Sequence, residues 1–270
     1  MAPRPSRTRL DLRLVELGLA PSRAKAQALI MSGVVHVAGR RVDKAGTDIP
    51  SDAAVTVEAM GPEFVSRGGQ KLAGALDALG IAPEGQACLD VGASTGGFTD
   101  CLLQRGARAV VAVDVGRAQL HERLARDSRV TVLDRVNARE LDPAALPSLA
   151  DLAVIDVSFI SLTLVLPAVA RCVRPGGAIV AMVKPQFEVG RADVGKGGVV
   201  RDPAKIRAAV DRVRAAGERE GLRALGEAPS VLKGPKGNQE VFVCFERLAG
   251  PDPDPWGVDR RGRGMDGEAS

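Results

Sequence analysis

Four ionisable residues of this 270-residue chain stand where apolar runs give way to loops. Asp156 closes the run Leu152–Ile155, Lys184 directly follows Ala178–Val183, and Glu240 opens the run that ends at Glu246. Lys71 begins a helix just after Gly68-Gly69. Any one of them can simply mark where a strand meets solvent. Two amines and two carboxylates converging on one edge of a sheet form a place where a proton can be moved.

A second set has the character of a small-molecule cradle. Leu89-Asp90-Val91-Gly92-Ala93-Ser94-Thr95-Gly96-Gly97-Phe98 lies where a buried strand becomes a helix, and its glycines let a ligand approach the backbone. The next strand ends at Asp114, 24 residues after Asp90, where a carboxylate can accept both hydroxyls of a ribose. A nicotinamide dehydrogenase also carries an acid there, but its GxGxxG fingerprint is absent because position 94 is Ser. S-adenosylmethionine has no pyrophosphate to cradle and suits the turn better. Asp90, Gly92, Ser94, Gly96, Gly97, Phe98, Asp114 and Asp156 are the candidate cofactor residues, with Asn137 placed to meet an adenine.

The elements that must position these groups follow from periodicity. After Met60, strands and helices alternate: Ala87–Val91, Gly97–Arg105, Ala109–Asp114, Leu120–Arg126, Val130–Leu133, Leu152–Val157, Leu162–Val173, Ala178–Val183 and Pro203–Glu220. This alternation predicts an α/β fold, a mainly parallel sheet covered on both faces. Leu222–Ala228 and Glu240–Glu246 are consecutive strands, which implies an antiparallel hairpin at the edge. Residues 1–60 read as a separate small α+β unit. It has a helix over Arg9–Leu17, a second capped by Ser22 and ended by Gly33, and short strands at Val35–Val37 and Ala54–Val57. Residues 61–69 form a linker, 70–248 the larger domain and 249–270 a disordered tail that holds Trp256. The Gly-rich segment Lys184–Asp202 reads as a long loop beside the site.

Composition sets the class. The net charge is +4, and residues 1–25 carry six basic side chains against two acidic ones, a bias compatible with a polyanionic partner. The four cysteines include no CxxC pair and read as buried thiols in a reducing compartment. With two histidines, a histidine-rich metal site is not expected, and no metal is assigned. No apolar stretch is long enough to span a bilayer and no secretory signal is visible, so a cytoplasmic protein with no membrane partner is expected.

Residues 61–248 resemble the FtsJ-type ribose 2′-O-methyltransferases, and residues 1–248 resemble the TlyA family of rRNA methyltransferases, also labelled haemolysins. The strings that carry this are Val65-Ser66-Arg67-Gly68-Gly69-Gln70-Lys71-Leu72, Asp156-Val157-Ser158-Phe159-Ile160-Ser161-Leu162, Val183-Lys184-Pro185-Gln186-Phe187-Glu188, Gly195–Asp202 and Gly234–Glu240. The resemblance implies a Rossmann-like class I sheet, S-adenosylmethionine as donor, and a catalytic Lys71, Asp156, Lys184, Glu240 set acting on the 2′-hydroxyl of a cytidine in 16S or 23S rRNA. Within that set, Lys184 is expected as general base. Lys71 would depress its pKa by like-charge repulsion, and the two acids would orient the amines.

Residues 9–57 resemble the S4 RNA-binding domain, through Arg9-Leu10-Asp11, Ser22-Arg23-Ala24, Ile30, Gly33 and Val35–Gly39. The resemblance implies RNA contacts at Arg9, Arg23 and Lys44. It makes Phe159 either a stacking partner for a flipped base or a core residue. Arg135, Arg139, Lys233 and Lys236 are further candidate RNA contacts. The partner implied is rRNA, free, in a subunit or in the ribosome. A non-catalytic ribosome-binding protein and a membrane-active haemolysin are the competing readings. The linker reads Pro62-Glu63-Phe64-Val65 where relatives can carry an Arg and a Trp.

Overall fold

A computed structural model of the chain describes residues 6–57, 63–190 and 193–249. The tail beyond Ala249, with Trp256, lies outside the described residues. The chain divides into two compact units, residues 1–63 and 64–270.

The first unit runs β1 (Arg7–Arg9), α1 (Leu10–Glu16), α2 (Arg23–Met31), β2 (Val35–Val37), β3 (Arg40–Arg41), β4 (Asp48–Pro50) and β5 (Val55–Val57). Ser22 caps α2, its side chain accepting from the Lys25 amide, and Gly33 turns the chain out of it at φ +75°. Leu10, Leu14, Ala26, Leu29, Ile30, Val35 and Ile49 form its core. β1, β3 and β4 go beyond the elements that periodicity predicts. Among the described residues β1 and β4 pair only with each other, through Arg7–Pro50 to Arg9–Asp48, and strands of two or three residues leave no alternation to read.

The second unit begins with α3 (Arg67–Leu79), capped by Ser66 and ended by Gly80 at φ +66°. The helix therefore starts inside the span expected to be linker. β6 (Ala87–Val91), α4 (Gly97–Gln104), β7 (Ala109–Asp114), α5 (Glu122–Ala125), β8 (Val130–Asp134) and β9 (Ala150–Ile155) follow. Then come α6 (Leu166–Cys172), β10 (Val173–Val183), α7 (Pro185–Glu188), α8 (Pro203–Arg219), β11 (Leu222–Pro229) and β12 (Val241–Arg247). The helix expected over Leu162–Val173 is split into a 3-10 turn, Leu162–Leu164, and α6, because Pro167 restarts the helix at its first turn. The segment expected as a structureless loop from Lys184 carries α7 and an isolated bridge between Gly195 and Val199.

The sheet order is β11-β12-β10-β9-β6-β7-β8. β12 runs antiparallel to β10 and β11, so the expected hairpin closes one edge, while β10, β9, β6, β7 and β8 are parallel. Alternate residues of β12 serve opposite faces. Phe242 and Cys244 join Leu72, Leu76, Phe98 and Leu102 under α3 and α4. Val243 and Phe245 join Leu166, Val169, Val210 and Val213 under α6 and α8. All four cysteines are buried free thiols. No helix among the described residues is long and apolar enough to cross a membrane.

Candidate active site

Register brings the four charged residues to one edge. Val183 pairs with Val241 across β10 and β12, so Lys184 and Glu240 leave the sheet side by side. Ile155 pairs with Ala181 and with Val91, and Val91 with Val113. Asp156, Gly92 and Asp114 therefore come off the carboxyl ends of β9, β6 and β7 close to one level, where open α/β sheets bind their ligands.

Two lobes of about 390 and 500 Å³ flank the β6–α4 turn. Ser66, Arg67, Gly68, Gly97 and Thr95 help line the first. Val115, Gln119, Val136, Asn137 and Ile160 help line the second. Gly92, Ser94 and Asp156 line both. Gly92 sits at φ +87°, and a Cβ on it would come within 2.5 Å of the Asp156 carbonyl oxygen, so no larger residue fits. Asp114 accepts from the Ser94 amide at 2.9 Å and the Gly116 amide at 2.7 Å, which fixes its carboxylate on the lobe wall. That carboxylate, the apolar Val115, Val136 and Ile160, and the open glycine turn fit a nucleoside bearing a charged tail.

Not every candidate cofactor residue reaches the wall. Asp90 is fully buried, accepts from Thr99 Oγ1 at 2.6 Å, and lines neither lobe. Burial pushes its carboxyl up to about 7, with the Thr99 hydrogen bond offsetting part of the shift. Gly96, at φ +94°, faces Leu120 and Leu124, where a Cβ would clash at 2.4 Å, so it shapes the turn from behind. Phe98, 3% exposed, packs on Phe242, 6.1 Å between centroids, and also lines the first lobe.

The four charges form two ion pairs. Lys71 Nζ donates to Glu240 Oε2 at 2.6 Å, with both side chains buried. Lys184 Nζ lies 2.6 Å from Asp156 Oδ1 and donates to Ser158 Oγ at 2.7 Å. Ser158 was not singled out from sequence, though its place two residues after Asp156 was a signal. All four charged residues line a third cavity of about 420 Å³, together with Ser158, Phe159, Gln186, Phe187, Lys236 and Asn238. Among the described residues, Asp156 is common to all three cavities. The arrangement is a pair of lobes opening beside a chamber that carries both ion pairs, room for a donor molecule next to an acceptor group.

Phe159 is 91% exposed at φ +65°, with its ring 5.2 Å from that of Phe187. It is thus not core. Holding a bulky residue at positive φ is a strain associated with functional sites. The segment behind it is pinned by Glu188, unremarked in sequence, which accepts from Ser161 Oγ at 2.6 Å and from the Leu162 amide at 2.8 Å. Burial raises the Glu188 carboxyl. Lys233 and Lys236 are exposed residues on the first lobe and the acceptor chamber, respectively, and Arg135 and Arg139 are exposed around Asn137. Asn137 caps a 3-10 turn by accepting from the Arg139 amide.

In the first unit, Asp11 is buried and holds Arg9, Arg23 and Gln27 at 2.9–3.1 Å. These partners hold its carboxyl well below the usual range. Lys44 is exposed. The described residues contain no cluster of His, Cys, Asp or Glu placed to hold a metal ion.

The FtsJ-like methyltransferase family matches residues 64–247 and the S4 domain residues 8–55. A Mycobacterium tuberculosis protein named 16S/23S rRNA (cytidine-2′-O)-methyltransferase TlyA is 48% identical over 88% of this chain and 89% of its own length. The Campylobacter jejuni 23S rRNA (cytidine-2′-O)-methyltransferase TlyA is 33% identical over 67% of this chain and 70% of its own. A solved structure carrying the hemolysin name, from Streptococcus thermophilus, superposes with a TM-score of 0.68 at 38% identity, covering 92% of this chain and 91% of that one. An S4 unit followed by an FtsJ-like α/β unit defines an RNA-directed methyltransferase. The chain belongs to the TlyA family of rRNA methyltransferases.

Proposed function

We propose that this protein methylates the ribose 2′-hydroxyl of cytidine in 16S or 23S rRNA, in the cytoplasm, on rRNA within a subunit or the ribosome. The observation that carries this reading is the position of Asp156, shared by the cofactor lobes and the chamber that holds both ion pairs. The relatives' names supply the nucleotide.

S-adenosylmethionine, bound in the two lobes, supplies the methyl as an electrophile on a sulfonium sulfur. Asp114 would hold the ribose hydroxyls of that donor, and the backbone around Gly92 and Ser94 its amino-acid end. Lys184, held on line by Asp156 and Ser158, is the group placed to take the proton of the acceptor 2′-hydroxyl. Lys71 stabilises the developing alkoxide. Glu240 answers its charge at 2.6 Å, so the two act as a pair and not as a bare cation beside Lys184. Arg9, Arg23 and Lys44 in the S4 unit, and Arg135, Arg139, Lys233 and Lys236 around the chambers, hold RNA phosphates.

The test is transfer of radiolabelled methyl to purified subunits and rRNA, followed by mapping of 2′-O-methyl positions. The expected outcome is modification at cytidine ribose, abolished by Lys184→Ala in a protein that still folds and binds the donor. Absence of transfer to any ribosomal RNA, or full activity of that variant, would overturn the reading.

A further inference from the structure

The acceptor chamber contains two polar side chains that the methyl transfer leaves unused, and one of them, Asn238, is already engaged by the Val200 amide and the Gly198 carbonyl. Gln186 lies on α7, two residues after Lys184, and lines the chamber with Phe159 and Phe187. Its Oε1 is buried and meets no donor. Of the buried side-chain atoms without a hydrogen bond among the described residues, it is the one on this chamber outside the two ion pairs. A buried acceptor without a partner forfeits its hydration uncompensated, so such a group calls for an explanation.

The surroundings say what that ligand is. Lys184 and its partners fix where the ribose hydroxyl must stand, and the chamber's volume suits a small-molecule-sized group. Its aromatic wall is Phe159 and Phe187, whose rings are tilted at 49°. Aromatic faces stack on bases but do not tell them apart. Discrimination needs a hydrogen-bonding edge, and a carboxamide supplies an acceptor and a donor side by side. Cytosine displays the complement: an exocyclic amino donor next to a ring-nitrogen acceptor. Phe187 and Gln186 are adjacent on one turn of helix, and Glu188, the next residue, ties that turn to Ser161 and Leu162 behind Phe159. The stacking wall and the amide are thereby held as one unit.

We infer that Gln186 reads the Watson–Crick edge of the target cytosine, with its amide oxygen accepting from the 4-amino group and its amide nitrogen donating to N3. This rests on the methyltransferase reading above and adds a specificity-determining residue to it. Uracil, with donor and acceptor reversed, would require the amide to turn over.

The experiment is a two-by-two comparison with the full-length protein. Wild type and Gln186→Leu are assayed on rRNA carrying at the target position either cytidine or its analogue lacking the 4-amino group. Wild type is expected to lose about ten- to hundredfold in kcat/KM on the analogue. The Leu variant should show a similar loss on cytidine and little further loss on the analogue. Equal loss on the analogue by both proteins would overturn the inference, as would a Leu variant as active as wild type on cytidine. Donor binding by the Leu variant, measured calorimetrically, should match wild type; a weakened donor site would count against base reading. Wild-type methylation of cytidine itself reports separately on the underlying function.

Discussion

The Lys71 ammonium and the Glu240 carboxylate meet at 2.6 Å although 169 residues separate them, and both are nearly sealed from water. Removing one partner strands the other as a buried charge. Lys71→Met or Glu240→Leu alone should cost about 3–5 kcal/mol in denaturant unfolding. The double variant should recover much of that stability while remaining inactive. Single variants as stable as wild type would show the pair to be solvated.

Asp114 has a different task. Its carboxylate is oriented by two backbone amides and faces the second lobe. Asp114→Ala should weaken S-adenosylmethionine binding by about ten- to hundredfold in calorimetry, the scale of hydrogen bonds to a charged group. RNA affinity measured by filter binding should stay unchanged.

Asp90 gives a pH signature. Its folded carboxyl holds a proton up to about 7, whereas the unfolded chain releases it near the usual carboxylate value of about 3.9. The folded state binds more protons in between, so the contribution of Asp90 to stability falls as pH rises from about 4 to 7. Asp90→Asn lacks that slope. Its stability relative to wild type, followed by urea titration, should rise through this window and level off above it. Parallel curves would mean an ionised Asp90.

Asp11 has the opposite sign. Its carboxyl is held low by Arg9, Gln27 and Arg23. Its contribution is complete above the unfolded value and is lost as pH falls below it. Asp11→Asn should destabilise the first unit by about 1–2 kcal/mol at pH 7, a modest figure because both arginines are about half exposed. The deficit should shrink below about pH 4. rRNA affinity should drop and become less salt-dependent, since Arg9 and Arg23 lose their fixed orientation.

Phe159 touches water over nearly its whole surface. Phe159→Ala should leave Tm within a degree or two and donor affinity unaltered, while lowering kcat through loss of base stacking, worth about 1–3 kcal/mol. A large fall in Tm would mark it as a packing residue.

Much of this was written locally. Alternation of apolar runs specified the parallel sheet and its antiparallel edge, and Ser22 marked a helix start that the fold retains. The glycine turn and Asp114 were legible because a ligand-bearing strand end needs particular residue types at fixed spacing. What sequence could not give was pairing. Whether Lys71 answers Glu240 or Asp156 depends on how α3 packs over β12, which no local pattern encodes. Likewise, only packing put Asp90 and Gly96 behind the lobe wall, left Phe159 bare, and set Ser158 and Glu188 to work on their neighbours. Residue type fixes which interactions a group can make. Which partner it gets is decided when distant segments compete for the same space, and that is settled only by the assembled sheet.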